Sequence, residues 1–157
     1  MKKRCNLGRL EVAIASYDKA LEFKSDNDAA WYNRGVALRN LGKLEEAIAS
    51  FDKALKIKPN DNIAWYERGN ALGKLRRFEA AMADYDKALK IKPDYHEAWS
   101  NRGVALGKLR RLEEEIASYD KALAIKPDDR TVWINRGIAL GKLGRYEEEI
   151  ASYDKAL

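Results

Sequence analysis

The sequence predicts an all-α fold in which pairs of helices repeat along one chain. Three observations lead to this prediction. A block of residues returns with a period of 34, most visibly at its tryptophans, Trp31, Trp65, Trp99 and Trp133. Each block carries apolar side chains at helical spacing, and no stretch shows the strict alternation that is typical of a strand. A fixed period of this length indicates a stack of similar units, none of which can bury its apolar face alone.

Each block contains the pattern of two helices. In the first helix of block 28–61, Trp31, Gly35 and Leu38 fall on one stripe at helical spacing. The second helix has a wider apolar stripe, formed by Leu44, Ala47, Ile48, Phe51, Ala54 and Leu55. Small residues on both stripes are expected to let the two helices approach each other closely.

Glycine, proline and aspartate mark the ends of these helices. We expect a tight turn near Gly42 in this block and near Gly144 in the last block. The second helix must end before Pro59, because proline lacks an amide hydrogen and restricts the residue before it. Asn60 and Asp61 are then placed to cap the next first helix.

The repeat divides the chain into five segments that together form one solenoid domain. Residues 28–61, 62–95 and 96–129 are complete blocks. Residues 1–27 align with the later part of a block, so we expect the end of a first helix followed by a second helix. Residues 130–157 form a block that lacks its C-terminal end.

The composition argues for a folded protein and disfavours several functional classes. The net charge is +5, but no segment exceeds +2, and acidic residues lie between the basic ones throughout. Binding of nucleic acid along a basic stripe is therefore disfavoured. With one cysteine, Cys5, and one histidine, His96, we expect neither an internal disulfide nor a metal site. No apolar run suits a membrane span or a signal peptide, so we expect a cytoplasmic protein without a membrane partner.

These residues resemble the tetratricopeptide repeat family. The family's 34-residue pattern is matched in block 28–61 at Trp31, Gly35, Leu38, Ala47, Phe51, Ala54 and Pro59. The resemblance covers essentially the whole chain. It implies a right-handed superhelical solenoid of antiparallel helix pairs, in which the first helices line a concave groove that usually binds a peptide or protein segment.

The candidate groove lies on the face of each first helix opposite the tryptophan stripe. Projection at 100° per residue places on or beside it Tyr32, Asn33, Val36, Tyr66, Asn70, Lys74, Asn101, Val104, Lys108, Ile134, Asn135, Ile138 and Lys142. Asparagine can bond a peptide backbone, aromatic and aliphatic groups can accept side chains, and lysines attract carboxylates, so the ligand is expected to carry acidic groups. The alternative is that Val36, Val104 and Ile138 merely contact neighbouring first helices.

Some members of the family grip a C-terminal carboxylate with two lysines, an arginine and two asparagines. Only the asparagines are partly kept here, at Asn70 and Asn101. Tyr32 or Tyr66 holds the first lysine position, and Glu97 or Thr131 holds another of the basic positions. We therefore expect no such clamp.

Charged residues at the core edge recur with the repeat. Arginines stand where the family usually has leucine, at Arg34, Arg68, Arg102 and Arg136. Each second helix carries an aspartate, at Asp18, Asp52, Asp86, Asp120 and Asp154. We expect a ladder of Arg–Asp ion pairs whose arginine stems cover apolar surface, and an arginine stripe that reads phosphate is the alternative.

Three further titratable residues break the pattern. Glu115 and Glu149 replace the alanine of the earlier blocks on the side expected to approach Gly103 and Gly137. Each must bend to solvent or find an arginine, because an unpaired buried charge is costly. His96 is expected to be exposed at the start of a first helix.

The function predicted from these observations is a protein-interaction module that binds a peptide or protein segment in the groove. No motif of a phosphate loop or catalytic nucleophile is present, so we expect neither enzyme activity nor a cofactor. The alternative is a structural scaffold that self-associates head to tail, because both ends of the array leave apolar faces uncovered. Binding of single-stranded nucleic acid is a third, disfavoured reading.

Overall fold

The computed structural model describes the backbone of residues 2–157 and the side chains of residues 7–157. Across this range the chain forms helices and no strand, which confirms the all-α prediction. The helices are α1 (Lys2–Phe23), α2 (Asp28–Asn40), α3 (Leu44–Ile57), α4 (Asn62–Lys74), α5 (Phe78–Ile91), α6 (His96–Lys108), α7 (Leu112–Ile125), α8 (Arg130–Lys142) and α9 (Tyr146–Ala156). Cys5 lies outside the residues whose side chains are described.

The chain divides into two compact units, Met1–Arg77 with α1 to α4 and Phe78–Leu157 with α5 to α9. Within each unit, every helix packs against the helices that precede and follow it. Short turns join the helices of each pair, so their packing is antiparallel. The predicted array of antiparallel helix pairs is therefore confirmed in both units.

A residue with positive φ ends the turn between the two helices of each block. Gly42 has φ 80° and Gly144 has φ 75°, as the sequence predicts. Arg76 and Arg110 hold the same position in the middle blocks, with φ of 62° and 59°. The sequence did not reveal these two turns, because arginine pays a steric penalty in the left-handed region that glycine avoids.

The first segment differs from the expectation. Residues 2–23 form one continuous helix, rather than the end of a first helix and a separate second helix. Gly8, which aligns with Gly42, lies inside α1, and a Cβ atom at Gly8 would meet nothing within 4 Å. Because no other helix packs there, nothing compensates for breaking the backbone hydrogen bonds of α1 at this glycine.

Tryptophan holds the start of each first helix to the preceding linker. The indole Nε1 of Trp65 donates to the carbonyl of Pro59 at 2.8 Å, and Trp99 and Trp133 bond Pro93 and Pro127 in the same way. Asp61 caps α4 by accepting hydrogen bonds from the Ile63 and Ala64 amides, which confirms its predicted role. These contacts explain why tryptophan and proline recur together.

The helices of a pair meet where an aromatic ring lies over a glycine. A Cβ atom on Gly35 would lie 2.7 Å from the ring of Phe51, which is fully buried. Gly103 and Tyr119 repeat this contact, with a Cβ-to-ring distance of 2.5 Å. The predicted close approach is confirmed, and its cause is the ring that occupies the space of the missing side chain.

The predicted Arg–Asp ladder is also confirmed. The Nε of Arg34 donates to Asp18, that of Arg102 to Asp86 and that of Arg136 to Asp120, each at 2.6 Å, while Arg68 bonds Asp52. Each of the four guanidinium groups also lies over the tryptophan of its own helix, at 4.6 to 5.8 Å from the ring centroid.

Three of these arginines bridge three consecutive helices. The Nη1 of Arg102 donates to the hydroxyl of buried Ser118 at 2.7 Å, so that Arg102 on α6 connects α5 with α7. Arg34 reaches Ser50, and Arg136 reaches Ser152, in the same manner. The guanidinium groups are thus engaged in packing, which favours the structural reading over a phosphate-reading stripe.

Candidate functional site

A pocket of about 170 Å³ opens on the candidate face of the first helices in the unit Phe78–Leu157. Helix α6 supplies Val104, Gly107 and Lys108, helix α7 supplies Glu115 and Tyr119, and helix α8 supplies Asn135, Ile138 and Lys142. Five of these eight residues were predicted for the groove: Val104, Lys108, Asn135, Ile138 and Lys142. The helical projection therefore brings together residues that lie on one concavity.

Glu115 lies in this pocket and is 5% exposed. It neither bends to solvent nor finds an arginine, so the sequence-based expectation is wrong. The hydroxyl of Tyr119 donates to its Oε1 at 3.3 Å, and its Oε2 has no hydrogen-bond partner. Burial raises the pKa of Glu115 above its ordinary value, against the opposing attraction of Lys142 and Lys108 and the bond from Tyr119.

The space for this carboxylate comes from Gly107 and not from Gly103. A Cβ atom on Gly107 would lie 2.5 Å from Oε1 of Glu115. The same pair recurs as Gly141 and Glu149 on α8 and α9, with a corresponding distance of 2.6 Å. Tyr153 bonds Glu149 at 3.2 Å, but Glu149 is only half-buried.

The lining of the pocket combines exposed aliphatic side chains with exposed lysines. Val104 and Ile138 are 41% and 43% exposed, although both are aliphatic. Lys108 and Lys142 are exposed at the last turns of α6 and α8, and both act on the Glu115 carboxylate through space. Exposed aliphatic groups beside opposite charges are typical of a binding surface rather than of a solvated face.

The equivalent place in the unit Met1–Arg77 is occupied by an ion pair. Arg39 and Glu67 stand where the other unit has Gly107 and Asn135, and they form a salt bridge with side chains only 19% and 15% exposed. The amide of Asn70 also donates to Glu67, at 3.3 Å. The two units thus present different surfaces on the same face of the repeat.

The predicted groove residues of the first unit are partly used in packing. Tyr32 lies against Phe51 with ring centroids 5.9 Å apart, and Val36 packs against the same cluster. Burial, followed by the charges of Glu67 and Asp61, raises the pKa of Tyr32. These contacts lie within the helix pair α2 and α3, so they do not test the alternative of contact with neighbouring first helices, and a binding role for Tyr32 and Val36 stays a prediction.

The remaining candidates are spread over the same faces. Asn33 and Lys74 are exposed, and Tyr66 and Asn101 are half-buried. Ile134 is 44% exposed but does not line the pocket. Their role in binding stays a prediction.

His96 is not exposed, contrary to the expectation. Its side chain is 13% exposed, and its Nε2 lies 2.8 Å from Oδ2 of Asp129. Burial opposes the charge on Asp129, but bonds from the Val132 amide and His96 hold its pKa below the usual range. Asp129 caps α8 and lies about one repeat after His96, so neighbouring first helices bring the two together.

Neither a metal centre nor a membrane helix can be assigned to the described residues. Over this part of the chain, no three His, Cys, Asp or Glu side chains are gathered so that they could hold a metal ion. No helix in the same range has the length and apolar content needed to cross a bilayer.

Family comparisons match almost the whole chain. Residues 29–61, 66–130 and 131–157 match patterns described as tetratricopeptide repeat, and residues 3–42 match one described as TPR repeat. The chain belongs to the tetratricopeptide repeat family. No curated protein sequence matches it. The recurrent tryptophan, glycine and proline contacts described above are therefore the family's pattern as this chain realises it.

Solved structures of similar fold include other tetratricopeptide repeat proteins. The chain is similar to MamA, with 24% identity and a TM-score of 0.93 over 99% of this chain and 90% of that one. It is also similar to residues 41 to the end of MamA from Desulfovibrio magneticus RS-1, with 23% identity and a TM-score of 0.90 over 99% and 88% of the two chains. A third similar structure is YrrB, described as a TPR protein with an unusual peptide-binding site, with 27% identity and a TM-score of 0.84 over 95% and 77%.

Proposed function

We propose that this protein binds a peptide or protein segment on the first-helix face of the unit Phe78–Leu157, in the pocket between α6, α7 and α8. Membership of the tetratricopeptide repeat family supports a protein-interaction module as the general function. The description of YrrB as a peptide-binding TPR protein supports the same assignment. No enzyme activity is proposed.

The observation that carries the proposal is the composition of the pocket. Its walls expose Val104 and Ile138, its base holds a buried carboxylate, and its rim carries two lysines. A site of this kind can accept an apolar or long side chain and fix its orientation through a few polar groups. The pocket is open, which suits a side chain projecting from an extended segment.

The test is selection of binders from a random peptide library, followed by calorimetry with variants. Ile138→Ala removes a wall of the pocket, and Asn135→Ala removes an amide that can bond a peptide backbone. Lys121→Ala changes an exposed residue of α7 outside the pocket and serves as the control. We expect both pocket variants to weaken binding by about tenfold or more, with Lys121→Ala unchanged. Equal binding by all variants would contradict the proposal.

Self-association is a second candidate, favoured by the exposed face of α9. Tyr146 and Ile150 are 66% and 60% exposed, whereas Ile116, at the position of Ile150 in α7, is 4% exposed under α8. A first helix of a second copy has the chemistry to cover this face. Light scattering tests it: a mass that climbs above 17.9 kDa with concentration, and returns to that value with Ile150→Glu, would support it. A constant mass would exclude it.

A further inference from the structure

The pocket contains a hydrogen-bonding group that the protein leaves unpaired. Glu115 is almost fully buried. The hydroxyl of Tyr119 donates a hydrogen bond to its Oε1, and its Oε2 has no hydrogen-bond partner. Buried carboxylates in folded proteins are normally satisfied, because an unmet bond to a charged group is costly. The unpaired Oε2 therefore marks the atom at which a ligand can contribute a donor.

The surrounding side chains limit what the donor can be. Gly107 has no side chain, and Val104 and Ile138 offer only aliphatic surface. Asn135, Lys108 and Lys142 carry donors, but none of them bonds this oxygen. Such walls suit the methylene stem of a long basic side chain, whose charged end would then reach the carboxylate. A charged donor would also form a stronger bond to a carboxylate than a neutral donor.

The two lysines at the rim add a second requirement. Lys108 and Lys142 line the same pocket as Glu115, and their positive charges favour the charged form of its carboxyl group. They would repel a basic side chain that arrives alone, and they would attract a carboxylate that arrives beside it. The charges of the pocket are thus complementary to a pair of opposite charges in the ligand.

We propose that the pocket binds an arginine or lysine side chain of the partner segment through the Glu115 carboxylate, while Lys108 and Lys142 hold a carboxylate beside it. This inference rests on the proposed function, because it names the ligand of the same site. The expected ligand is a pair of neighbouring residues in one peptide, the first basic and the second acidic.

The other unit provides a contrast on the same face. There Arg39 and Glu67 form a salt bridge, so the carboxylate of Glu67 is paired with a cation of the protein itself. In the unit Phe78–Leu157, glycine and asparagine stand at those two positions, and the carboxylate of Glu115 is left with an open side. The partner's basic side chain would take the role that Arg39 has in the first unit.

The experiment is an NMR titration with short blocked peptides. The probes are a peptide with an Arg-Asp pair, the same peptide with citrulline in place of arginine, and the same peptide with asparagine in place of aspartate. Citrulline keeps the shape of arginine and removes its charge. We expect the Arg-Asp peptide to shift the amide signals of Gly107 and Tyr119 and to bind about tenfold more tightly than either neutral peptide.

Matched variants connect the effect to the pocket. Glu115→Gln should abolish the preference for arginine over citrulline, and Lys142→Gln should weaken the preference for aspartate over asparagine. Glu149→Gln changes the equivalent carboxylate on α9, which does not line the pocket, and should leave both preferences intact. A melting temperature of Glu115→Gln that is no lower than that of the parent would exclude loss of folding as the cause.

The outcomes separate this inference from the proposed function. If library-selected peptides bind in an Ile138-dependent way but citrulline and Glu115→Gln have no effect, the inference is overturned and the proposed function stands. If Lys142 pairs with Glu115 instead, Lys142→Gln will strengthen binding of the arginine peptide and leave the preference for aspartate unchanged. That result would overturn the proposal that the lysines bind a ligand carboxylate. If no peptide shifts the pocket signals, both are overturned.

Discussion

A Cβ atom on Gly107 would lie 2.5 Å from Oε1 of Glu115, so the glycine is the space in which this carboxylate lies. The atoms that would collide are at the far end of a flexible side chain. At Gly103, one turn earlier on α6, the corresponding collision is with the buried ring of Tyr119, also at 2.5 Å. Gly107 therefore leaves space for a movable carboxylate and Gly103 for a buried ring, and substitution of each glycine should have a different effect on stability.

Gly103→Ala should destabilise the protein and Gly107→Ala should not. Overpacking against a fixed ring costs roughly 1–3 kcal/mol, which exceeds the gain of about 1 kcal/mol from replacing glycine in a helix. At Gly107 the carboxylate can move aside, so we expect a change of no more than about 1 kcal/mol, together with loss of arginine-peptide binding. Urea unfolding of the two variants checks this, and equal destabilisation would contradict it.

The fold was largely predictable from the sequence because its signals are local and repeated. Residue chemistry and the period predict the turn at Gly42, the end of α3 before Pro59, the Asp61 cap and the Arg–Asp pairs. The continuous α1 was not predictable from alignment, since a turn at Gly8 requires a helix to fold back against it. Likewise the bond from His96 to Asp129 joins two blocks and has no signal within either.

The candidate site was predictable in part. Projection of α6 and α8 found five lining residues, but it missed the contribution of α7, Glu115 and Tyr119, because only first helices were projected. One sequence signal was available. In the two last blocks a glycine stands eight positions before the glutamate, as Gly107 with Glu115 and Gly141 with Glu149, whereas block 28–61 has Arg39 with Ala47 and block 62–95 has Gly73 with Ala81. A glycine at this position is compatible with a glutamate eight positions later, but Gly73 shows that the glycine alone does not predict one.

Stability should depend on pH through Glu115. Burial raises its pKa in the folded state above the unfolded value of about 4.3. The contribution of this group to the free energy of unfolding is therefore fully present below the unfolded-state pKa and is lost as the pH rises through the folded-state pKa. We therefore expect Glu115→Gln to be more stable than the parent at pH 7, by on the order of 1 kcal/mol, with the difference shrinking toward pH 4. Chemical denaturation at several pH values measures this.

The control for the pH experiment is Glu149→Gln. Glu149 makes the same bond to a tyrosine but is only half-buried, so its substitution should give a smaller difference with little pH dependence. A parent protein that gains stability over Glu115→Gln as pH rises would show that the charged carboxylate is already paired in the free protein, contrary to the structure.

Arg102→Leu should destabilise the protein although leucine is the usual residue at this place in the family. Arg102 connects Asp86 on α5 and Ser118 on α7, and it lies over Trp99. Asp86 is half-exposed, so we expect a moderate loss of about 1–2 kcal/mol rather than that of a buried pair. Asp86→Asn should cost less than about 1 kcal/mol. An unchanged or higher Tm for Arg102→Leu together with lost ligand binding would instead assign the arginine to a ligand.

Arg110→Gly should stabilise the protein. Arg110 has φ 59°, a conformation that costs a residue with a Cβ atom about 1–2 kcal/mol, while glycine adds about 0.4–1 kcal/mol of chain entropy to the unfolded state. The expected net gain is roughly 0.5–1 kcal/mol. Gly144→Ala makes the reverse change at the same turn of the last block, where φ is 75°, and should lower stability by a similar amount. Thermal unfolding of the pair checks the sign, and a loss in Arg110→Gly would contradict the account.

The most direct test of the central claim is a double-mutant cycle between Glu115 and the ligand. Calorimetry would measure the Arg-Asp peptide and its citrulline counterpart against the parent and Glu115→Gln. The account predicts a coupling free energy of at least about 1 kcal/mol, because the charged bond exists only when both charges are present. A coupling of zero, with binding still dependent on Ile138, would contradict the assignment of Glu115 as the group that recognises a basic side chain.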